Sequence, residues 1–167
     1  MNLMILALSL LLPASVDERA DNLKAFYPTE FATIVEGAEA NNCSDALPLC
    51  ILFAIRNAEN GRAGIEFGVL HPRAMDRPNS LRVQAGWAAA TVSKNRKRWL
   101  DSNQDVDFIT FLGNRYCPVG AENDPTGLNR HWIGNVRKFT ERNLRAYWGH
   151  ADNQEYRWAT AREVNNR

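Results

Sequence analysis

The chain has few of the residues that bind metal ions. It contains three cysteines and three histidines, and His71, His131 and His150 are scattered along it. No pair of these residues stands at the short spacing that zinc and haem sites use. We therefore expect no metal site, and no organic cofactor is implied.

Motifs of several common enzyme classes are also missing. The sequence has no Gly-rich phosphate loop with a lysine, no Gly-x-Ser-x-Gly turn, and no cysteine and histidine pairing near a glycine-framed nucleophile. Nucleotide hydrolases of the P-loop type and serine or cysteine acyl-transfer enzymes depend on these motifs. The sequence therefore gives no support to either class.

The net charge is only +1, but it is unevenly distributed. Residues 1–60 have five more acidic than basic residues, and residues 61–167 have six more basic than acidic residues. The basic part could attract an acidic polymer such as cell wall or nucleic acid, although solvated helix faces are the simpler interpretation of most of these charges. The run at residues 94–98, followed by Trp99, is too short to indicate a nucleic-acid partner, and we expect none.

The first twelve residues are almost wholly apolar. A run of about 10–12 residues is too short for a comfortable membrane span, and we expect no stable span. The run is similar to the hydrophobic region of a secretory signal, with residues 13–15 as a processing region. Since no lysine or arginine precedes it, an N-terminal helix packed on the core is the alternative. We assign residues 1–15 to this segment, 16–148 to one folded domain and 149–167 to a polar C-terminal tail.

The three cysteines leave their pairing open. Cys43 and Cys50 are seven residues apart and could close a small loop in an exported protein. Cys50 could instead be a small buried hydrophobe inside its helix. Cys117 has no obvious partner in the sequence.

The hydrophobic pattern predicts a mainly α fold. Helical spacing and capping residues predict five helices. The first covers residues 29–42, and the second follows the caps Ser44 and Asp45. The other three run from Asn79 or Ser80 to about residue 100, over residues 106–115 after Asp105, and from Thr126 to about residue 148. The second helix, which follows Ser44 and Asp45, is apolar nearly all round, so we expect it to be central and buried. Residues 61–79 are rich in glycine and proline and contain the β signal, residues 67–70, which predicts a small hairpin.

Glu59 is the first candidate for chemistry. It ends the apolar second helix and precedes Asn60 and Gly61, which must turn. The helix dipole disfavours a carboxylate at that end, so a functional role is favoured over a surface glutamate. A carboxyl group partly removed from water keeps its proton to higher pH, which is the property of a general acid that cleaves a glycosidic bond.

Other residues could complete a cleft around Glu59. Tyr116 ends the fourth helix and could orient a sugar or a water, or simply pack a helix end. Asn123 and Asp124 precede a proline in a loop, where an aspartate more often caps a helix than catalyses. Trp132 could stack on a sugar ring, although its spacing with apolar neighbours is also typical of a core residue.

A second carboxylate is harder to find. Glu66 and Asp76 are the carboxylates of the glycine- and proline-rich stretch, and either could activate a water. Inverting glycosidases hold two carboxyls roughly 6.5–9.5 Å apart and retaining ones about 5–5.5 Å apart. One acid suffices where groups of the sugar itself assist.

Two stretches resemble a known family. Residues 58–61, Ala-Glu-Asn-Gly, and residues 66–69, Glu-Phe-Gly-Val, resemble the catalytic-glutamate region of the lysozyme-like superfamily. Residues 111–136, with Tyr116, Asn123-Asp124-Pro125 and the stretch from Trp132 to Val136, resemble the Tyr … Asp-Pro … Val helix entry of bacterial glucosaminidases. They are also similar to small phage wall-degrading proteins. Together they cover roughly residues 45–140. The spacing from the glutamate to Phe-Gly is shorter than in most glucosaminidases, and no serine follows the glutamate as in many lytic transglycosylases.

The resemblance implies an α+β lysozyme-like fold, with a helical bundle around a central buried helix and a small β element after Glu59. It implies a glycosidase or lytic transglycosylase that acts on peptidoglycan glycan strands, with Glu59 as the acid and Tyr116 assisting. Substrate binding would fall to Glu66, Phe67, Asn123, Asp124 and Trp132. We expect a monomer that is secreted, periplasmic or virion-associated. The alternative is a non-catalytic wall-binding or virion structural protein on the same fold.

Overall fold

The computed structural model describes residues 16–75, 78–102 and 105–149. These residues form six α-helices joined by loops and short 3-10 turns, and no strand is present among them. The helices are α1 (Val16–Asp21), α2 (Phe31–Glu39), α3 (Ala46–Glu59), α4 (Ser80–Asp101), α5 (Phe108–Tyr116) and α6 (Trp132–Trp148). The predicted mainly helical class is confirmed.

Helix α3 lies at the centre of the bundle, as its composition predicted. Its residues 48–55 are all buried. The contact between α3 and α6 is the most extensive of any helix pair in the described structure. Polar side chains join it to its neighbours. The Tyr27 hydroxyl donates to the carbonyl oxygen of Phe53 at 3.0 Å, and the Asn143 amide of α6 donates to that of Cys50 at 3.1 Å. These contacts fix the orientation of α3 and therefore the position of its last residue, Glu59.

Three helices begin later in the chain than the spacing predicted. Helix α5 starts after Asp107, whose side chain accepts from the backbone N–H of Thr110 at 3.1 Å, so Asp107 rather than Asp105 is its cap. A 3-10 turn over Leu128–His131 precedes α6, which begins at Trp132 instead of following Thr126 directly. The first predicted helix, residues 29–42, is also shorter, since α2 covers only Phe31–Glu39.

The predicted β element is wrong. Residues 67–70 lie in a turn and an irregular stretch. Their backbone groups bind the side chain of Gln84 on α4, because the N–H groups of Phe67 and Val69 both donate to Gln84 Oε1 at 3.2 Å. A side chain therefore takes the hydrogen bonds that a partner strand would have made.

The cysteines carry free thiols. Cys43 and Cys50 are completely buried and unpaired in the described structure, which matches the alternative in which Cys50 is a small buried hydrophobe of its helix. Burial raises the pKa of Cys43 to about 12 and that of Cys50 further still. Both thiols therefore stay protonated and unreactive near neutral pH.

Some sequence predictions concern parts of the chain outside the described residues. These are the apolar segment 1–15, nearly all of the tail 149–167, and Asp76. In the ranges that are described, no helix has both the length and the apolar character needed to cross a membrane.

Candidate functional site

Glu59 is the last residue of α3 and lies in a partly buried position. The helix stops there because Asn60 adopts a left-handed conformation with φ of 44°, and its N–H returns to the carbonyl oxygen of Arg56. Asparagine tolerates this region better than most residues. The predicted arrangement of a buried helix that ends in an acid and then turns is therefore present.

The segment that follows, residues 61–75, folds back over the Glu59 carboxyl, and we call it the covering loop. A Cβ atom at Gly68 would lie 2.3 Å from Glu59 Oε2 and 2.7 Å from Cδ, and the φ of Gly68 is +70°. The positive φ disfavours any other residue at this position, and a Cβ there would push the Glu59 carboxyl out of its place. Gly68 therefore brings backbone against the carboxyl group and removes water from that side.

Trp132, at the start of α6, holds the other carboxyl oxygen. Its indole Nε1–H donates to Glu59 Oε1 at 2.7 Å. The indole is itself only 5% exposed and stacks on the ring of Tyr116, with centroids 5.3 Å apart and planes 23° apart. The predicted sugar-stacking role does not suit so buried a ring, which instead orients the acid.

Tyr116 connects this pair to the covering loop. Its hydroxyl donates to the backbone carbonyl oxygen of Phe67 at 2.7 Å. Burial, the Glu59 carboxylate and Cys117 raise the pKa of Tyr116 well above its ordinary value, so the phenol keeps its proton. Because the hydroxyl donates its proton to the Phe67 carbonyl oxygen, Tyr116 holds the covering loop in place and packs against the Trp132 indole. These contacts are typical of a positioning residue rather than of the assisting role predicted for Tyr116.

The environment of Glu59 favours its neutral form. Desolvation by burial raises the pKa of the carboxyl above its usual range, and the Trp132 hydrogen bond offsets part of this effect. Arg56, one turn earlier, does not neutralise the charge because its guanidinium makes two bonds of 2.8 Å to Glu30. A carboxyl whose pKa is raised keeps its proton to higher pH than an exposed one, which is the property that a general acid needs.

The structure places Glu66 and Phe67 inside the protein. Glu66 is 5% exposed and accepts from the Ser80 hydroxyl at 2.7 Å, while Ser80 accepts from the N–H of Gly64 at 3.1 Å. Phe67 is fully buried in the core. Neither side chain is placed to touch a ligand from solution, so the predicted substrate contacts are replaced by anchoring of the covering loop.

Asp124 acts as a cap, which was one of its two predicted roles. Its Oδ1 accepts from the N–H of Leu128 and its Oδ2 from that of Asn129, both at 2.8 Å. With both oxygens used, it is not free to activate a water. Its neighbour Asn123 is exposed, and no contact joins it to Glu59. The Asn129 side chain accepts from the Cys117 thiol at 2.8 Å and ties this turn to the end of α5.

Sequence reasoning missed the residue that holds the covering loop in place. Gln84 of α4 is fully buried. Its amide donates to the carbonyl oxygens of Gly64, Val69 and Ala74 at 2.8–3.1 Å, and its Oε1 accepts the two N–H groups already described. The signal was present, because position 84 lies one turn before Ala88 on the apolar inner face of α4, where a polar side chain needs partners.

The described residues bring together one acid with three supports: Gly68, Trp132 and Tyr116. No other carboxylate is among the causes that shift the pKa of Glu59, and the described part of the chain has no cluster of side chains that could hold a metal ion. No protein-family model, curated protein or solved structure matches this chain. The chemistry that such an arrangement can perform is proton donation from a desolvated carboxyl.

Proposed function

We propose that this protein cleaves the glycan strand of peptidoglycan, with Glu59 as the general acid. The observation that carries the proposal is the Glu59 carboxyl, desolvated at the end of a buried helix and held between Gly68 and the Trp132 indole. The helical class is consistent with the helical part of the lysozyme-like resemblance of residues 45–140, while the β element that the resemblance implies is absent from the described residues. That resemblance supplies the substrate class, and the geometry supports the role of Glu59.

In the proposed reaction the protonated Glu59 donates its proton to the oxygen that bridges two sugars. The bond from that oxygen to the sugar breaks as the proton arrives, and an oxocarbenium-like sugar forms. Attack by water would give a reducing end. Attack by the 6-hydroxyl of the same sugar would give an anhydro end, and Glu59 would take up the proton that the attacking oxygen releases.

The carboxylates of the described residues favour attack by the 6-hydroxyl, which gives an anhydro end. Within the described ranges, Glu66 is bound to Ser80 and Asp124 is bound to two backbone N–H groups. In the described structure Glu66 is almost completely buried, although its Oε2 has no hydrogen-bond partner, and Asp124 is held by the backbone of its own turn. Neither is therefore placed to meet a sugar as a base or nucleophile, while Asp76 lies outside these ranges. A single carboxyl is sufficient when the sugar supplies its own nucleophile. The proposed substrate also implies a protein that reaches the wall by export or as part of a virion.

Digestion of purified peptidoglycan tests this function. Wild-type protein should release soluble fragments, and mass spectrometry of their ends should name the bond. Anhydro-muramic ends would identify a transglycosylase, reducing glucosamine ends a glucosaminidase and reducing muramic ends a muramidase. Binding to the wall without any released fragment, across pH and salt, would refute catalysis and favour a wall-binding or structural role.

A second prediction concerns pH. Replacing Trp132 with phenylalanine keeps an aromatic ring beside Tyr116 but removes the N–H that favours the charged carboxylate. The pKa of Glu59 should rise further, so the alkaline limb of the kcat/KM profile should move to higher pH. The measurement is a pH–rate profile of wild type and W132F.

Trp99 provides a matched control for this experiment. It is also a buried tryptophan, and its indole N–H donates to the carbonyl oxygen of Val106 at 2.7 Å, away from Glu59. W99F should lower the melting temperature without moving the limb. If W132F and W99F changed the profile equally, Trp132 would have only a packing role.

A further inference from the structure

A concave site lies on the C-terminal half of α6, and we call it the basic groove. It is a cleft of about 850 Å³ between that half of α6 and the 3-10 turn Asn22–Ala25. The residues that matter for its chemistry are Phe26, Lys138, Phe139, Glu141, Arg142 and Arg145. Since an α-helix rises 1.5 Å per residue, Arg142 lies about 15 Å along α6 from Trp132. The basic groove is therefore separate from the Glu59 site.

Its three cations share one face of α6. Lys138, Arg142 and Arg145 stand at spacings of four and three residues, which places them next to one another on a helix surface. None of the three pairs with a carboxylate within the described ranges, where the ion pairs involve other cations. Glu141 is the one acidic residue that lines the groove. Among the described residues, the groove therefore carries more positive than negative charge.

Arg142 is held by aromatic rings and a hydroxyl group, and by no carboxylate of the described residues. Its guanidinium carbon lies 4.5 Å from the ring centre of Phe26 and 5.2 Å from that of Phe139. Its Nη2 also donates to the Tyr27 hydroxyl at 2.9 Å. Rings on both elements that form the cleft thus orient the guanidinium before any ligand arrives, which lowers the entropy lost on binding.

A basic helix face alone does not give this arrangement. Helix α4 carries the exposed Lys94, Lys97 and Arg98, but these residues line no cleft described here and their charges contact no aromatic ring in the described structure. The two helices have a similar density of positive charge, but only the α6 cations line a described cleft with aromatic rings beside them. This difference makes α4 an internal reference for the groove.

We propose that the basic groove binds a linear anionic polymer, with a carboxylate or phosphate on Arg142 and neighbouring anionic groups on Lys138 and Arg145. The charged positions extend over about 10 Å of helix, which suits a chain with several anionic groups better than one small anion. The apolar sides of the cleft accept the uncharged parts of the chain between those groups. This proposal does not depend on catalysis by Glu59.

Two fluorescent probes test it: short-chain polyphosphate and poly-L-glutamate, titrated separately at low ionic strength with the full-length protein. The double variant K138E/R145E changes two exposed cations and leaves Arg142 with its Tyr27 bond. K94E/K97E on α4 makes the same change in net charge. We expect K138E/R145E to lose at least about tenfold in affinity, and K94E/K97E to stay within about twofold of wild type.

The outcomes separate the possibilities. Preference for polyphosphate would assign a phosphate polymer, and preference for poly-L-glutamate a carboxylate polymer. Equal losses in the two double variants would mean that overall charge binds the probes, and the proposal would fail. It would also fail if wild type bound neither probe. Circular dichroism should show that both variants keep the wild-type helix content.

Discussion

Replacing Glu59 with glutamine should abolish release of fragments from peptidoglycan. Glutamine keeps the shape of the side chain and can still accept from the Trp132 indole, but it has no proton of suitable acidity to donate. General acid catalysis contributes typically 10²–10⁴-fold, so kcat should fall by at least about 10²-fold. Initial rates of fragment release from purified peptidoglycan by wild type and E59Q measure the effect.

Glu66 supplies the matched control for that substitution. It is a glutamate only seven residues later, and its carboxyl accepts from Ser80 inside the covering loop. Glutamine can accept the same bond, so E66Q should keep activity within a few-fold of wild type. Full activity of E59Q, or equal losses in E59Q and E66Q, would remove Glu59 from the reaction.

The same substitution should change stability in a pH-dependent way. Burial raises the pKa of Glu59 in the folded state, so the stabilising contribution of its proton is present at low pH and is lost as the pH rises through that pKa. Glutamine stays neutral throughout. E59Q should therefore melt close to wild type near pH 4 and above it near pH 8, as thermal unfolding at the two pH values can show. This gain would identify Glu59 as a residue kept at the expense of stability.

The local part of the site could be predicted from the sequence. An apolar helix, a carboxylate and then Asn60 and Gly61 define a buried acid at a turn, and every contact needed for that inference lies within a few residues. The capping role of Asp124 also followed from the residues beside it. The central position of α3 followed from its composition, because a helix that is apolar all round has no face for solvent.

The distant part of the site could not be predicted. Trp132 is 73 residues from Glu59, and Tyr116 is 49 residues from Phe67. The first contact depends on where the start of α6 meets the end of α3, and the second on where the end of α5 meets the covering loop. Helical spacing specifies neither. The β prediction for residues 67–70 failed for a related reason. An apolar segment flanked by glycines fits a strand, but the buried Gln84 of another element took its hydrogen bonds.

Gln84 should therefore be among the most sensitive positions in the protein. Replacing it with leucine keeps a side chain of similar size but leaves the carbonyls of Gly64, Val69 and Ala74 and two N–H groups of the covering loop without partners. A buried polar group that loses its partner costs about 1–3 kcal/mol. Some of the freed groups will reach water as the loop opens, so we expect Q84L to lower the free energy of unfolding by about 3–5 kcal/mol. Chemical denaturation of wild type and Q84L measures this loss.

Asn95 on the same helix provides the control for Q84L. Comparing the unfolding free energies of the two variants separates the loss of the covering-loop contacts from the loss of any buried amide. Asn95 is also buried, but its amide donates within α4, to the carbonyl oxygen of Thr91 at 2.9 Å. N95A should therefore cost about 1 kcal/mol and leave fragment release intact. Under conditions where Q84L remains folded, its activity should fall with its stability, because Gly68 reaches the Glu59 carboxyl only while the loop is held. A Q84L protein as stable and as active as N95A would mean that the loop keeps its place through Glu66, Ser80 and the Tyr116 hydroxyl alone.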